Sequence, residues 1–139
     1  MNRASPPFLA LTVAALAMGG CATLKRDVCP AGQEKLRTAQ LFFGREAGKQ
    51  PRLAEAEFRR FVDEELTPRF HDGLTILEGG GQWKGEENKQ IRESAKVVLI
   101  VLTRSPDQEA RIEAARAAYK ARFKQEAVMT VTQPACVSV

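Results

Sequence analysis

Six consecutive apolar residues, Val97-Val98-Leu99-Ile100-Val101-Leu102, constrain this chain more than any other feature. Four of the six are β-branched, which favours a strand. Successive side chains of a strand point to opposite faces, so a sheet with one wet side needs apolar and polar residues in alternation. A segment that is apolar at every position therefore requires cover on both faces. Phe42 and Phe43, adjacent in another strand-like run, place one aromatic on each side and impose the same requirement. Helices cover one face. The other is to be covered by a second copy of the chain, stacked sheet on sheet as in dimeric α+β barrels, or to wall a closed pocket for an apolar ligand. The second copy is the preferred reading.

The remaining elements follow from local pattern. Leu36 to Phe43 is rich in strand formers and stops at Gly44, giving the first strand. Phe58, Phe61, Val62 and Leu66 recur at helical spacing opposite Glu55, Arg59, Arg60 and Asp63, and Pro68 ends that helix near Thr67. Leu74 begins a second strand that continues through Gly79-Gly80-Gly81 to Gln82 and Trp83, with a bulge or a close backbone approach expected at the glycines. Lys84 to Lys89 is a charged hairpin tip, and the return strand runs from Gln90 to Thr103. Ser105-Pro106-Asp107-Gln108 reads as a helix start, with Ser105 as cap and Pro106 at the first helical position. That helix should turn Ile112, Ala115, Tyr119 and Phe123 inward and Arg111, Glu113, Arg116 and Lys120 to water, ending near Phe123. Ala127 to Thr132, before Pro134, supplies the fourth strand. Strand, helix, strand, strand, helix, strand is the ferredoxin-like order: an α+β sandwich whose four-stranded antiparallel sheet carries two helices on one face.

The first twenty residues hold one base, Arg3, then an apolar core from Phe8 to Met18, then small residues up to Cys21. This is an export signal, its core too short to stay as a transmembrane helix. Leu16-Ala17-Met18-Gly19-Gly20-Cys21 resembles a bacterial lipobox, with Met18 where such lipoproteins more often have Leu. The resemblance implies cleavage before Cys21 and acylation of its thiol and freed amine. By resemblance to the sorting rule of enteric bacteria, Ala22 after the cysteine points to the outer membrane. The chain thus divides into a lipoprotein signal peptide over 1–20, a lipidated tether over 21–34 and one folded domain over 35–139. A lipid on Cys21 leaves Cys29 and Cys136 in a compartment that oxidises thiols. A disulfide between them is the natural reading, with two free thiols or a metal pair as the rivals. In the ferredoxin-like layout the end of strand four neighbours the start of strand one, so topology brings the two cysteines within reach independently of the compartment argument.

Thr67-Pro68-Arg69-Phe70-His71-Asp72-Gly73-Leu74-Thr75, followed by Gly81-Gln82-Trp83, resembles a domain-of-unknown-function family of small bacterial secreted proteins and lipoproteins, over about residues 35 to 138. The resemblance brings no established activity. His71 stands where the family usually has Pro, which counts against a catalytic role for it. Ala54 stands where the family tends to have Ser or Thr three residues before Glu57, so half of a capping box is missing at the first helix.

Specific chemistry finds little support. Lys and Arg number 21 against 17 acids, and without Arg3 the balance is 20 − 17 = +3, too weak to imply nucleic acid. No Lys-Ser or Lys-Thr follows the glycine run, so it is not a phosphate loop. One His and two remaining cysteines are too few for a structural zinc site. Ser94 with His71 lacks a nucleophile elbow, and Glu78 with Glu93 on the hairpin reads more simply as solvated than as an acid–base pair. Arg69 beside Asp72 is either an anion-binding pair or part of a structured turn, with the turn preferred. No catalytic residue, cofactor or metal is assigned. The expectation is an envelope lipoprotein on the periplasmic side whose domain interacts with a partner or with itself through its sheet face. The alternative is a small enzyme or ligand-binding module using a concavity near Gln40, Arg69, Gln82, Trp83, Glu93 and Lys96.

Overall fold

A computed structural model of the protein describes residues 28–46, 51–84 and 88–138. The expected export signal, Cys21, most of the expected tether and the tip of the charged hairpin lie outside these residues. The elements are β1 (Glu34–Gly44), α1 (Glu55–Phe61), β2 (Thr75–Lys84), β3 (Gln90–Leu102), α2 (Gln108–Phe123) and β4 (Met129–Val137). The strands form one sheet in the order β2-β3-β1-β4, antiparallel throughout. This is the ferredoxin-like α+β arrangement expected from the element order.

The core lies between the sheet and the helices. Ala39, Leu41 and Phe43 of β1 and Val98, Ile100 and Leu102 of β3 point inward and are buried, and they meet Phe58, Phe61 and Leu66 from the first helical segment and Ile112, Ala115 and Tyr119 from α2. Aromatic residues make up only 6% of the chain, yet five of them gather at one end of this layer. Phe43 lies 4.6 Å from Tyr119 and 5.7 Å from Phe61, centroid to centroid, and Tyr119 lies 4.8 Å from Phe123. Tilted and edge-on contacts of this kind exceed what area burial alone contributes. The Tyr119 hydroxyl donates to the Gly44 carbonyl at 2.7 Å, so the one polar atom of the cluster is satisfied, and burial pushes its phenol well above the usual value.

One local expectation is narrowed and three are corrected. The three glycines introduce no bulge: β2 and β3 pair without a break from Thr75↔Leu99 to Lys84↔Gln90. The glycine requirement is a close approach instead, since a Cβ on Gly79 would stand 3.0 Å from Val97 Cγ2. Ser105 is not the cap of α2. Its hydroxyl donates to the Asp107 carboxylate, and the helix starts at Gln108. The first helix is not α-helical throughout; it continues as a π-helical turn over Val62–Leu66, closed by Thr67 N–H donating to Val62 O at 2.8 Å. Finally, β4 runs past Pro134 to Val137, because an edge strand has a ladder on one side only and can hold a residue without an N–H.

Cys29 and Cys136 are joined, with Cα atoms 5.4 Å apart, and the bond closes a loop of sequence separation 107. It fastens the residues before β1 to the end of β4 at the sheet's β4 edge. We expect the Cys29→Ser/Cys136→Ser double variant to lose about 2–4 kcal/mol in urea or thermal melts; an unchanged melt would mean the sheet alone holds those two ends. At α1, Glu57 Oε2 accepts from the Ala54 N–H at 3.3 Å, the surviving half of the capping box, and Ala54 has the extended backbone of an N-cap. Ala54→Ser supplies the missing acceptor and should stabilise the fold by about 1 kcal/mol, read as a rise in melting temperature.

Candidate functional site: the outer face of the sheet

Side chains on the face of the sheet away from the helices follow from the three unbroken registers. β1 contributes Leu36, Thr38, Gln40 and Phe42, and β3 contributes Glu93, Ala95, Val97, Leu99 and Val101. β2 adds Thr75, Leu77 and Trp83, with Gly79 and Gly81 between them, and β4 adds Met129 and Val131. No helix covers these residues among those described. Leu77 is 50% exposed, Met129 57%, Trp83 44% and Val131 41%. The face is therefore apolar and open along its two edge strands, with Phe42, Val97 and Leu99 half-buried between them, where a water-facing sheet surface would carry polar side chains. At the disulfide end it runs into a groove of about 620 Å³ walled by Leu36, Leu74, Leu99, Val101 and Val137, with Glu34 and Asp72 on its rim.

The six sequence-derived candidates do not share one concavity. Gln40, Trp83 and Glu93 lie on the outer face. Gln40 sits near its centre, between Leu99 of β3 and Val131 of β4. Trp83 lies toward the hairpin end, its ring 3.8 Å from where a Cβ on Gly81 would stand. Glu93 is half-buried opposite Gly81, and burial, with the nearby Glu46 carboxylate, raises its carboxyl above the usual value.

Lys96, Gln82 and Arg69 are elsewhere. Lys96 is on the inner side, only 3% exposed, its ammonium 2.7 Å from Glu55 Oε2, in contact with Glu78 Oε1, and 5.6 Å above the Phe58 ring. Gln82 shares the inner register and accepts from Arg92 Nε at 2.9 Å. Arg69 turns back on the first helical segment, donating to the Glu65 carbonyl at 2.5 Å and pairing with its carboxylate at 2.6 Å. It makes no pair with Asp72. Asp72 instead accepts from Thr103 Oγ1 at 3.4 Å, which accepts from Gln108 Nε2 at 2.9 Å, while Gly73 takes φ +122°. The motif around Arg69 and Asp72 is thus a built helix-to-strand turn, as its Pro, Asp and Gly content indicates.

What sequence reasoning missed is the extent of the outer apolar surface. Leu77, Met129 and Val131 belong to it, and the signal for them was the same period of two that identified Val97, Leu99 and Val101, applied to shorter and less apolar strands. Among the described residues no group of three or more His, Cys, Asp or Glu is placed to hold a metal ion.

The Lys96 cluster links α1 to the sheet. Glu55, in the first turn of α1, meets Lys96 and also lies 3.4 Å from Arg45 Nη1, while Arg45 donates to the Leu53 carbonyl. Burial opposes the Lys96 charge, but the hydrogen bonds to Glu55 and Glu78 outweigh it and hold the ammonium above its usual value. Chiefly through the hydrogen bond from Lys96, the Glu55 carboxyl is held below its usual 4.5. A depressed folded-state carboxyl stabilises the fold above its unfolded value, and that contribution is lost as pH falls through the folded one. Melting temperature should therefore fall below about pH 4.5, and Lys96→Met should flatten that part of the profile; an identical acid slope in the variant would remove Lys96 as its origin.

A single antiparallel sheet with two helices on one face and an open apolar surface on the other defines an α+β protein of the ferredoxin-like type. Residues 38–139 match the family model described as "Protein of unknown function (DUF3574)", and the chain belongs to that family. No curated protein matches it. Among solved structures it is similar to a phage SAM lyase in complex with S-methyl-5'-thioadenosine, at 14% identity and a TM-score of 0.56, over 82% of this chain and 95% of that one. The apo state of a phage SAM lyase matches at 17% and 0.54, over 76% and 90%. CutA from Synechococcus elongatus PCC7942 matches at 9% and 0.49, over 78% and 81%. At these identities the phage enzyme shares the fold alone.

Proposed function

We propose that this protein is an envelope lipoprotein whose domain works as a non-enzymatic, self-associating module, seated on a second copy through the outer face of its sheet. The observation that carries the reading is that open apolar face. Four staggered strands at about 4.8 Å spacing, each paired with its neighbour over about nine residues at about 3.3 Å, give a footprint of roughly 600 Å² before side-chain relief is counted. Each partner in a standard interface buries about 800 Å². A surface of that size, apolar over Phe42, Val97, Leu99 and Val131 and with the Glu93 carboxylate toward its hairpin end, matches another copy of itself. A homodimer covers the face on both molecules at once, and it supplies the second cover that Val97 to Leu102 requires.

The envelope address is part of the same proposal. Cleavage before Cys21 and its acylation tether the domain on the periplasmic side, with Ala22 directing it to the outer membrane, and an oxidising compartment is the one in which a Cys29–Cys136 bond persists. Two measurements test the reading. Intact-mass analysis of protein extracted from membranes should give a chain starting at Cys21 with acyl mass added; an unmodified start removes the tether. Light scattering at tens of micromolar protein, about ten times a micromolar dissociation constant, should give a dimer that Leu77→Glu splits while the melting temperature stays within a few degrees. A wild-type monomer removes the self-association.

A further inference from the structure

Resting on the reading of the outer face as a seam between two copies, we propose that the two-fold axis of that seam passes at Gln40, whose carboxamide pairs with the carboxamide of Gln40 in the second copy. Gln40 occupies a central strand and the middle of the face. In register it lies between Leu99 and Val131, neither of which offers a side-chain hydrogen bond. Along β1 it lies between Phe42 and Thr38, and the buried Thr38 hydroxyl has no partner among the described residues, so Gln40 does not bond to it either. The carboxamide is therefore a half-buried polar group set in an apolar field without a partner beside it.

Closing a second copy over this face takes Gln40 out of water. Placed off the axis, its amide would for the most part meet the copy's Phe42, Val97, Leu99 and Val131 and lose its hydrogen bonds, Thr38, Thr75, Glu93 and Gln133 being the polar exceptions on the face. On the axis it meets itself, because in an isologous interface only a residue on the axis contacts its own counterpart. A carboxamide carries a donor and an acceptor, so two related by a two-fold pair reciprocally and satisfy each other. A polar residue at the centre of a largely apolar seam fixes register in this way, since packings shifted onto Phe42, Val97, Leu99 or Val131 leave it unpaired. The glycine trough and Trp83 lie well toward the hairpin end, away from that axis.

The test is cross-linking by position. Gln40→Cys in the oxidised protein should form a covalent dimer with a short bifunctional thiol cross-linker, since facing sheets pack about 10 Å apart, with peptide mapping showing the introduced thiol joined to its own counterpart and Cys29–Cys136 intact. Leu77→Cys, on β2 near the margin of the face, should cross-link at least about tenfold more slowly, because a short linker joins only thiols that face each other across the roughly 10 Å between stacked sheets. Should Leu77→Cys link faster than Gln40→Cys while light scattering still shows a dimer, the axis is overturned and self-association stands. Monomers with no cross-link in either variant overturn both. As a second variant, Gln40→Glu opposes two carboxylates at the axis, so the dissociation constant should rise more than about tenfold at neutral pH and recover on acidification; a constant unchanged at neutral pH overturns the axis placement.

Discussion

The antiparallel pairing of β1 with β3 is the constraint on which the rest of the molecule depends. Eight residue pairs, from Arg37↔Leu102 to Gly44↔Ala95, lie in one unbroken register, and both strands carry apolar side chains on both faces. One face is solved within the chain. Leu41, Phe43, Val98 and Ile100 meet two helices, and the aromatic cluster around Tyr119 fills the end of that layer. A slip of β3 by one residue against β1 would turn Leu99 under the helices in place of Val98 and put Val98 and Ile100 outside. The register that builds the core therefore also defines the surface left outside it.

The polar groups at the boundary of the core serve the same architecture. Lys96 stands where the inner face of β3 leaves the helices, and Glu55 and Glu78 bring it contacts from α1 and β2. Replacing it by an apolar residue would remove a charge but also the link between the start of a seven-residue helix and two strands. Arg69 and Asp72, which in sequence form a suggestive basic–acidic pair, are each spent on a different neighbour within one turn. Chemistry-bearing residues in this chain are thus mostly absorbed by structure, and the outer apolar face is what is left over.

Much of this was legible in the chain. Phe58, Phe61, Val62 and Leu66 at helical spacing, Ile112, Ala115, Tyr119 and Phe123 at the same spacing, and the unbroken run from Val97 to Leu102 indicated both helices, the sheet and the layer order. Boundaries were less legible wherever the deciding contact is not a local one. The start of α2 depends on a hydroxyl at Ser105 choosing the Asp107 carboxylate over a backbone amide. The passage of β4 through Pro134 depends on its being an edge strand, which no local signal states.

By itself, the sequence determined which segments are strands and helices, that the central strand is apolar on both of its faces, and that Cys29 and Cys136 are the two thiols available for pairing once Cys21 is assigned to lipid. Periodicity and composition are local properties, and they suffice for those conclusions. Only the tertiary structure decided that Lys96 faces the helices while Glu93 faces away, that Arg69 and Trp83 belong to different surfaces, and that Leu77, Met129 and Val131 join Phe42 in one apolar field. The reason is that a side chain's face is set by strand register, and register is a relation between segments far apart in the chain.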